Sequence, residues 1–253
     1  MKFIGRLVQL CLVLSLAALF VSWCCKDRLP DARDILPALE KDPIQRLRKG
    51  PQYVFAYRGR DYVIEPVAEY ELWGLVVSHN DIAEFSDIYH TRDSVDIKDI
   101  CVIWGDNVVD NVFHEFDFWS EPWSCHFFTK SRTAYGTFAK DQLANNHLLA
   151  EEPNVREKIA RVRIGDQVHL RGKLINYYPK GASEALRKTS TTRTDTGNGA
   201  CEVFMVEQVE IMKAGNPGWQ QGFRWARITL IISLLGSLVL FLYNVYRPSV
   251  RRR

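Results

Sequence analysis

The chain lacks the short motifs that mark the common enzyme classes. It contains no P-loop, no GxGxxG and no GxSxG, which excludes the usual nucleotide-binding and acyl-transfer signatures. No two cysteines have CxxC spacing, so a zinc ribbon and a thioredoxin-like redox motif are excluded as well. The six histidines include no HExxH pair. The sequence therefore predicts no metal site, no cofactor and no recognisable catalytic residue.

Charge is absent from two long stretches, one near each end of the chain. Residues 7–25 (LVQLCLVLSLAALFVSWCC) and 228–246 (ITLIISLLGSLVLFLYNVY) contain no charged side chain. A helix rises about 1.5 Å per residue and a bilayer's hydrocarbon core is about 30 Å thick, so each run is about long enough to span it. We therefore predict a lipid bilayer as one partner, with transmembrane helices over 1–25 and 228–246.

The first apolar run has two interpretations. Lys2 and Arg6 precede it, as in a cleaved secretory signal. However, no A-x-A site closes the run, and it exceeds the usual apolar length of about 7–15 residues. An uncleaved signal anchor is therefore predicted, with a cleaved signal as the alternative.

Basic residues are concentrated beside these runs, although the net charge of the whole chain is only +3. The region 7–223 is mildly acidic, which argues against a nucleic-acid-binding surface. The Lys and Arg residues flanking the two runs are balanced and do not decide the orientation, but the basic start at Lys2 and Arg6 favours a cytoplasmic N-terminus. We predict a bacterial inner-membrane protein with both termini in the cytoplasm and the middle domain in the periplasm.

Composition divides the rest of the chain into a stalk, a domain, a linker and a tail. Prolines between residues 26 and 50 indicate a juxtamembrane stalk with short amphipathic turns. Alternating apolar and polar residues follow, and they predict a β-barrel-like domain over 51–213. A linker over 214–227 and a basic tail over 247–253 complete the organisation.

The domain reads as strands bent by glycines. Residues 70–78 (YELWGLVVS) and 167–178 (QVHLRGKLINYY) each carry an interior glycine, Gly74 or Gly172, which is typical of a bulge or a barrel corner. Residues 137–162 are predicted to be mostly helical. About seven strands with few helices predict a β-rich α+β fold, an OB-like small barrel with helical insertions, and an open sandwich is the alternative.

Two segments of the domain carry a resemblance to other proteins. GDQVHLRGKL (165–174) and DTGNGACE (195–202) are similar to uncharacterised bacterial membrane proteins that hold one domain between two terminal helices. The resemblance covers about the last third of the domain. It implies the same architecture and no particular activity.

The cysteines of the domain suggest one disulfide. Cys101 lies within the apolar strand ICVIW and is predicted to be a buried free thiol. Cys125 and Cys201 each lie beside a turn in an alternating strand, so we predict that they are bonded to each other. This bond requires a compartment outside the cytoplasm.

Two groups of residues are candidates for a functional site. Basic side chains near hydroxyls and glycine amides can hold an anion. The candidate anion-binding loop, for which a polar loop without function is the alternative, comprises Arg187, Lys188, Arg193, Gly197 and Gly199. A weaker candidate is a catalytic cluster of His79, Asp81 and His90.

The leading functional hypothesis is a membrane-anchored, non-enzymatic envelope protein. Its extracytoplasmic domain would bind another envelope protein, an envelope component or a second copy of the chain. One alternative is a membrane-bound hydrolase that uses the histidines and aspartate named above. The other alternative is a cytosol-facing, membrane-associated regulator.

Overall fold

The computed structural model describes residues 2–82, 95–182, 187–195, 197 and 200–246. The chain forms two units. One unit contains the two ends of the chain, Met1–Arg28 and Asn216–Arg253, and the other contains Leu29–Gly215. Together they give two terminal apolar helices and a mixed α/β domain built on a seven-stranded sheet.

The secondary-structure elements alternate irregularly along the domain. The strands are β1 (Ile44–Leu47), β2 (Tyr53–Tyr57), β3 (Arg60–Asn80), β4 (Lys98–Ile103), β5 (Asp117–Glu121), β6 (Ser124–Phe128), β7 (Leu143–Leu149), β8 (Gln167–Pro179) and β9 (Glu202–Lys213). The helices are α1 (Lys2–Cys25), α2 (Asp106–Val109), α3 (Arg132–Thr137), α4 (Pro153–Arg161) and α5 (Pro217–Tyr246), with 3₁₀ turns at Ala32–Asp34, Pro37–Glu40, Val112–Glu115 and Lys140–Gln142.

The terminal unit consists of α1 and α5, which are both long and apolar enough to cross a membrane. The helices pack against each other through small side chains. Ser22 and Ser233 are buried, and a Cβ added at Gly236 would lie 3.7 Å from Val8. Small residues of this kind let helix backbones approach closely inside a bilayer.

The predicted linker over 214–227 is corrected by the extent of α5. This helix begins at Pro217, so residues 217–227 are its first turns and not a separate connection. Proline fits this position because the first N–H groups of a helix have no acceptor within the helix. The N–H that proline lacks therefore costs no hydrogen bond.

The predicted stalk over 26–50 is corrected as well, because residues from Leu29 onward belong to the domain unit. Leu39 is fully buried, and β1 pairs with β3. The Gln167 side chain accepts a hydrogen bond from Leu36 N at 2.7 Å and donates one to Asp34 O at 2.7 Å. The prolines exclude a long helix but allow short 3₁₀ turns that pack on the sheet.

The long strand β3 is the centre of the main sheet. It pairs in antiparallel fashion with β1, β2, β4 and β8. Strand β4 pairs with β7, β7 runs parallel to β9, and β9 pairs antiparallel with β8. Strand β7 corrects the helix predicted over 137–162, because 143–149 is extended and only 153–161 is an α-helix.

Close approach of strands explains the interior glycines. A Cβ at Gly172 would lie 2.1 Å from Met205 O, where the register between β8 and β9 shifts. A Cβ at Gly74 would lie 3.1 Å from the Cβ of Val102. Only glycine lets the backbones come this close at position 172.

A second, two-stranded sheet formed by β5 and β6 packs on one side of β4. The aromatic rings of Phe116, Phe127 and Phe138 pack together beneath it. We call β5, β6 and their turn the aromatic hairpin.

A disulfide between Cys101 and Cys125 joins the aromatic hairpin to β4, with a Cα–Cα distance of 5.8 Å. The predicted bond between Cys125 and Cys201 is therefore corrected, and Cys201 is a free thiol. Strand alternation is the reason: Cys101 and Ile103 face the cluster under the hairpin, whereas Ile100 and Val102 face the opposite core.

Candidate functional site

A cleft of about 540 Å³ lies between the aromatic hairpin and the last third of the domain. Its walls come from residues 124–127 of β6, residues at the start of β7, and the segment 187–203 that leads into β9. We call it the hairpin cleft.

The pairing of β7 with β9 determines where the cleft opens. These parallel strands are paired only over Asn146–Leu149 and Glu202–Met205. Cys201 directly precedes the first paired residue of β9, and Asn145 directly precedes the first paired residue of β7. The strands separate at this point, and both side chains line the cleft.

An ion pair between His147 and Asp99 lies behind the cleft wall. The two residues are directly opposite each other on β7 and β4, so their side chains lie on the same face of the sheet. His147 Nδ1 lies 2.6 Å from Asp99 Oδ1, and both side chains are fully buried. Burial opposes the charged ring, but the Asp99 carboxylate, together with the Cys201 thiol, raises the pKa of His147 to about 10.

The Cys201 thiol lies at the cleft surface in front of this pair. It is half-buried, and its sulfur accepts a hydrogen bond from Asn145 Nδ2 at 3.5 Å. The thiol also donates to Trp123 O at 3.5 Å. In the part of the chain that the structure describes, His147 Nε2 is buried without a hydrogen-bond partner.

Trp123, in the turn of the aromatic hairpin, covers the imidazole. Its ring lies 5.5 Å from the His147 ring, measured between centroids. Its φ of 71° is in the left-handed region, which non-glycine residues adopt at a cost of about 1–3 kcal/mol. The Arg187 guanidinium also stacks on the Trp123 ring, with its Cζ 3.4 Å from the ring centroid. The turn thus holds one aromatic ring in contact with both a buried histidine and an arginine.

Two arginines bring positive charge to the cleft wall. Arg193 Cζ lies 5.3 Å from the Trp104 ring centroid, and Arg193 Nη1 donates a hydrogen bond to the Tyr70 hydroxyl at 3.4 Å. Among the described residues, Nη2 of Arg187 and Nη2 of Arg193 are buried without a hydrogen-bond partner. In native proteins, buried polar groups such as these guanidinium donors almost always have a hydrogen-bond partner.

Glu202 is the buried carboxylate of this wall. Burial raises the pKa of Glu202 to about 7, although the nearby Arg193 acts in the opposite direction. Its Oε2 has no hydrogen-bond partner within the described ranges. The cleft therefore combines positive charge with a carboxyl group that titrates near neutral pH.

The structure brings most of the predicted anion-binding loop together. Arg187, Lys188, Arg193 and Gly197 all line the hairpin cleft. Gly199 lies outside the described residues.

The weaker predicted cluster lies elsewhere. His79 Nδ1 is 3.7 Å from Asp81 Oδ1, but the same carboxylate oxygen is 2.6 Å from Nζ of the fully buried Lys98. His90 lies outside the described residues. No group of three or more His, Cys, Asp or Glu side chains is placed to hold a metal ion in the ranges that the structure describes.

Sequence reasoning missed the combination of Cys201, His147 and Asp99. His147 and Asp99 are 48 positions apart and meet only through the pairing of β4 with β7. Asn145 and Asn146 next to the histidine were the available signal against a helix, since asparagine is a poor helix former.

The chain matches no protein-family model, and it matches neither a curated protein nor a solved structure. Interpretation of the site therefore depends on its own geometry.

Proposed function

We propose that this chain is a membrane-anchored protein of the bacterial envelope whose domain binds an anionic group of an envelope component in the hairpin cleft. The helices α1 and α5 attach the domain to the bilayer. The cleft supplies the binding site, and the loop that carries Arg187, Lys188 and Arg193 supplies its charge.

One observation carries this proposal: two arginines at the cleft wall each have a buried Nη2 donor without an acceptor in the described structure. An anionic ligand would satisfy both donors. Guanidinium groups bind carboxylates and phosphates through charge-assisted hydrogen bonds, which are about twice as strong as neutral ones. The stacking of Arg187 on Trp123 orients its donors before a ligand arrives.

We further propose that the domain is an OB-like barrel. The cyclic pairing order β3, β4, β7, β9, β8 and back to β3 supports a closed five-stranded sheet. Helix α4 follows β7 and buries Val155 and Ile159 against the core. OB folds bind extended ligands on one face of such a barrel, between loops.

The proposed compartment is the periplasm, with both termini in the cytoplasm. The Cys101–Cys125 bond supports this orientation because disulfides persist in oxidising compartments. Labelling of intact cells with a membrane-impermeant maleimide, before and after reduction, tests it. A new label on the half-buried Cys125 is expected after reduction, whereas the fully buried Cys101 should not react in the folded domain. Cysteines that are already reduced and labelled only after lysis would favour the cytosol-facing regulator instead.

Ligand binding itself can be tested with simple anions. The full chain, purified in nanodiscs, is heated with citrate or inorganic phosphate at constant ionic strength. A ligand present at 100 times its Kd stabilises the folded state by about 2.7 kcal/mol, so citrate should raise the Tm of the wild-type domain. The variant R187Q/R193Q should lose this increase.

Arg171→Gln is the matched control. Arg171 is an exposed arginine of β8 that does not line the hairpin cleft. This variant should respond to citrate as the wild type does. An equal Tm increase in R187Q/R193Q, or no increase in the wild type with either anion, would contradict the proposal.

A further inference from the structure

We propose that Cys201 is a catalytic nucleophile that transfers an acyl group from an ester or thioester of an anionic carboxylic acid. His147 is its proton-transfer partner and Asp99 is a positioning residue. The inference rests on the proposed function only for the negative charge of the substrate.

The three residues are arranged in order of depth. The half-buried Cys201 lines the cleft, the fully buried His147 lies behind it, and the fully buried Asp99 holds the far side of the imidazole. Asp99 engages Nδ1, which leaves Nε2 as the ring nitrogen available to the thiol. A nucleophile, a base and a group that orients the base form the usual constellation of covalent hydrolases and transferases.

The thiol does not carry this inference alone. His147 lines the cleft, is fully buried, and has no hydrogen-bond partner at Nε2 within the described structure. Cys201 lines the same cleft as this unpaired imidazole nitrogen, and its thiol is one of the groups that raise the pKa of His147. The other free thiols, Cys11, Cys24 and Cys25, all lie in α1, without such an arrangement.

The charge state of the histidine suits thiol chemistry. The Asp99 carboxylate keeps the ring protonated near neutral pH. The protonated ring can therefore give its proton to the leaving group. Asn145 Nδ2 lies 3.5 Å from the sulfur and is placed to donate a hydrogen bond to an oxyanion formed there.

The reaction has two balanced steps. In the first, the Cys201 thiolate attacks the carbonyl carbon, a carbon–sulfur bond forms, and the alkoxide or thiolate leaving group departs with the proton of the His147 imidazolium. In the second, neutral His147 takes a proton from water, the hydroxide attacks the thioester, and the acid is released as Cys201 returns to its thiolate. No electron transfer occurs, and no cofactor is consumed.

The experiment uses the full chain in nanodiscs with Cys11, Cys24 and Cys25 replaced by serine, which we call the serine-background chain. Release of p-nitrophenol is followed with p-nitrophenyl acetate, which is neutral, and with mono-p-nitrophenyl succinate, which is anionic. A burst of about one equivalent is expected, together with a hydroxylamine-sensitive adduct on Cys201 in the mass spectrum. Cys201→Ser, which keeps a hydroxyl in place of the thiol, should give neither.

The variants His147→Gln and Asp99→Asn test the other two roles. Because positioned proton transfer contributes about 10²–10⁴-fold, we expect acylation of H147Q to be at least about 100-fold slower at pH 7. In D99N the acylation rate should fall and its pH profile should move to lower pH, since the carboxylate that keeps the imidazole protonated is gone. A merely structural aspartate would not move the profile, and D99N decides the matter if H147Q does not fold.

Failure of this inference can be told apart from failure of anion binding. No burst with either ester, or acylation of H147Q as fast as that of the folded parent, would overturn the catalytic role. The selectivity is the ratio of the acylation rates with the anionic and the neutral ester. If this ratio is one and R187Q/R193Q does not change it, Cys201 is still the nucleophile but the cleft does not select anions. If citrate binds and neither ester reacts, only the catalytic role is overturned.

Discussion

Glu202→Gln should make the domain more stable at high pH and leave it almost unchanged at low pH. Burial raises the pKa of Glu202 from 4.5 to about 7. The folded state therefore holds this proton more tightly than the unfolded state. Stability that depends on the proton is fully present below pH 4.5, decreases as pH rises through the window from 4.5 to 7, and is lost above it.

The magnitude follows from the size of the shift. A shift of one pKa unit corresponds to about 1.36 kcal/mol, so the wild type should lose about 3 kcal/mol relative to E202Q between pH 4.5 and pH 8. For a domain of this size, that difference corresponds to a Tm gap of about 6–12 °C. Asp195, His147 and Arg193 also act on this carboxyl group, and they are present in both proteins, so the comparison isolates residue 202.

The assay is thermal unfolding of the full chain in nanodiscs, followed by tryptophan fluorescence at several pH values. Glu157→Gln is the matched control, because Glu157 is an exposed residue paired with Arg161 on α4. Surface pairs of this kind contribute about 0–1 kcal/mol, so its difference from the wild type should hardly vary with pH. A difference between the wild type and E202Q that stays constant from pH 4.5 to pH 8 would refute the reasoning.

Three further predictions concern the scaffold that holds the cleft. Gly172→Ala should destabilise the domain by at least about 3 kcal/mol in thermal unfolding, because its Cβ would lie 2.1 Å from a backbone oxygen of β9, whereas Gly136→Ala, with open space around it, should not. Cys125→Ser should cost about 3–4 kcal/mol, since the bond closes a loop with a sequence separation of 24, and a reductant should remove the difference from the wild type. Lys98→Met should cost about 3–5 kcal/mol because it leaves the Asp81 carboxylate without its buried cation, and adding Asp81→Asn should restore more than half of the loss. Equal stability of the two glycine variants, an unchanged Cys125→Ser melting curve, or no recovery in the double variant would each contradict the corresponding argument.

The terminal helices could be predicted because their signal is local. Absence of charge over a span of membrane length depends on neighbouring residues alone, and α1 and α5 are both long and apolar enough to cross a bilayer. The start of α5 at Pro217 could not be placed from hydropathy, since residues 217–227 are helical without being uniformly apolar.

A sheet of about seven strands was predicted, but not every strand was placed correctly. Alternation identified the strands around Gly74 and Gly172, and the structure extends the predicted strand over 70–78 into the longer strand β3, which begins at Arg60. Strand β7 was wrongly predicted as a helix. Its sequence, LANNHLL, has no clear period of two, and its extended form comes from pairing with β4 and β9.

The candidate site, like the sheet, could be predicted only in part. Basic residues near one another in sequence pointed to the loop of Arg187, Lys188 and Arg193. Asp99 and His147 could not be connected, because strand register brings them together. The partner of Cys125 was also a matter of register: Cys101 faces the aromatic hairpin, and Cys201 lies beside Asn145 instead.

The most direct test of the hairpin cleft measures how its charge affects reagents that reach Cys201. In the serine-background chain, the alkylation rates with anionic iodoacetate and neutral iodoacetamide are compared, and their ratio is divided by the ratio for N-acetylcysteine. A positive charge about 4 Å away contributes about 1 kcal/mol in water, and the cleft holds two arginines. We expect a preference for iodoacetate of about tenfold that R187Q/R193Q abolishes and R171Q keeps. A ratio equal to that of N-acetylcysteine would contradict an anion-binding cleft.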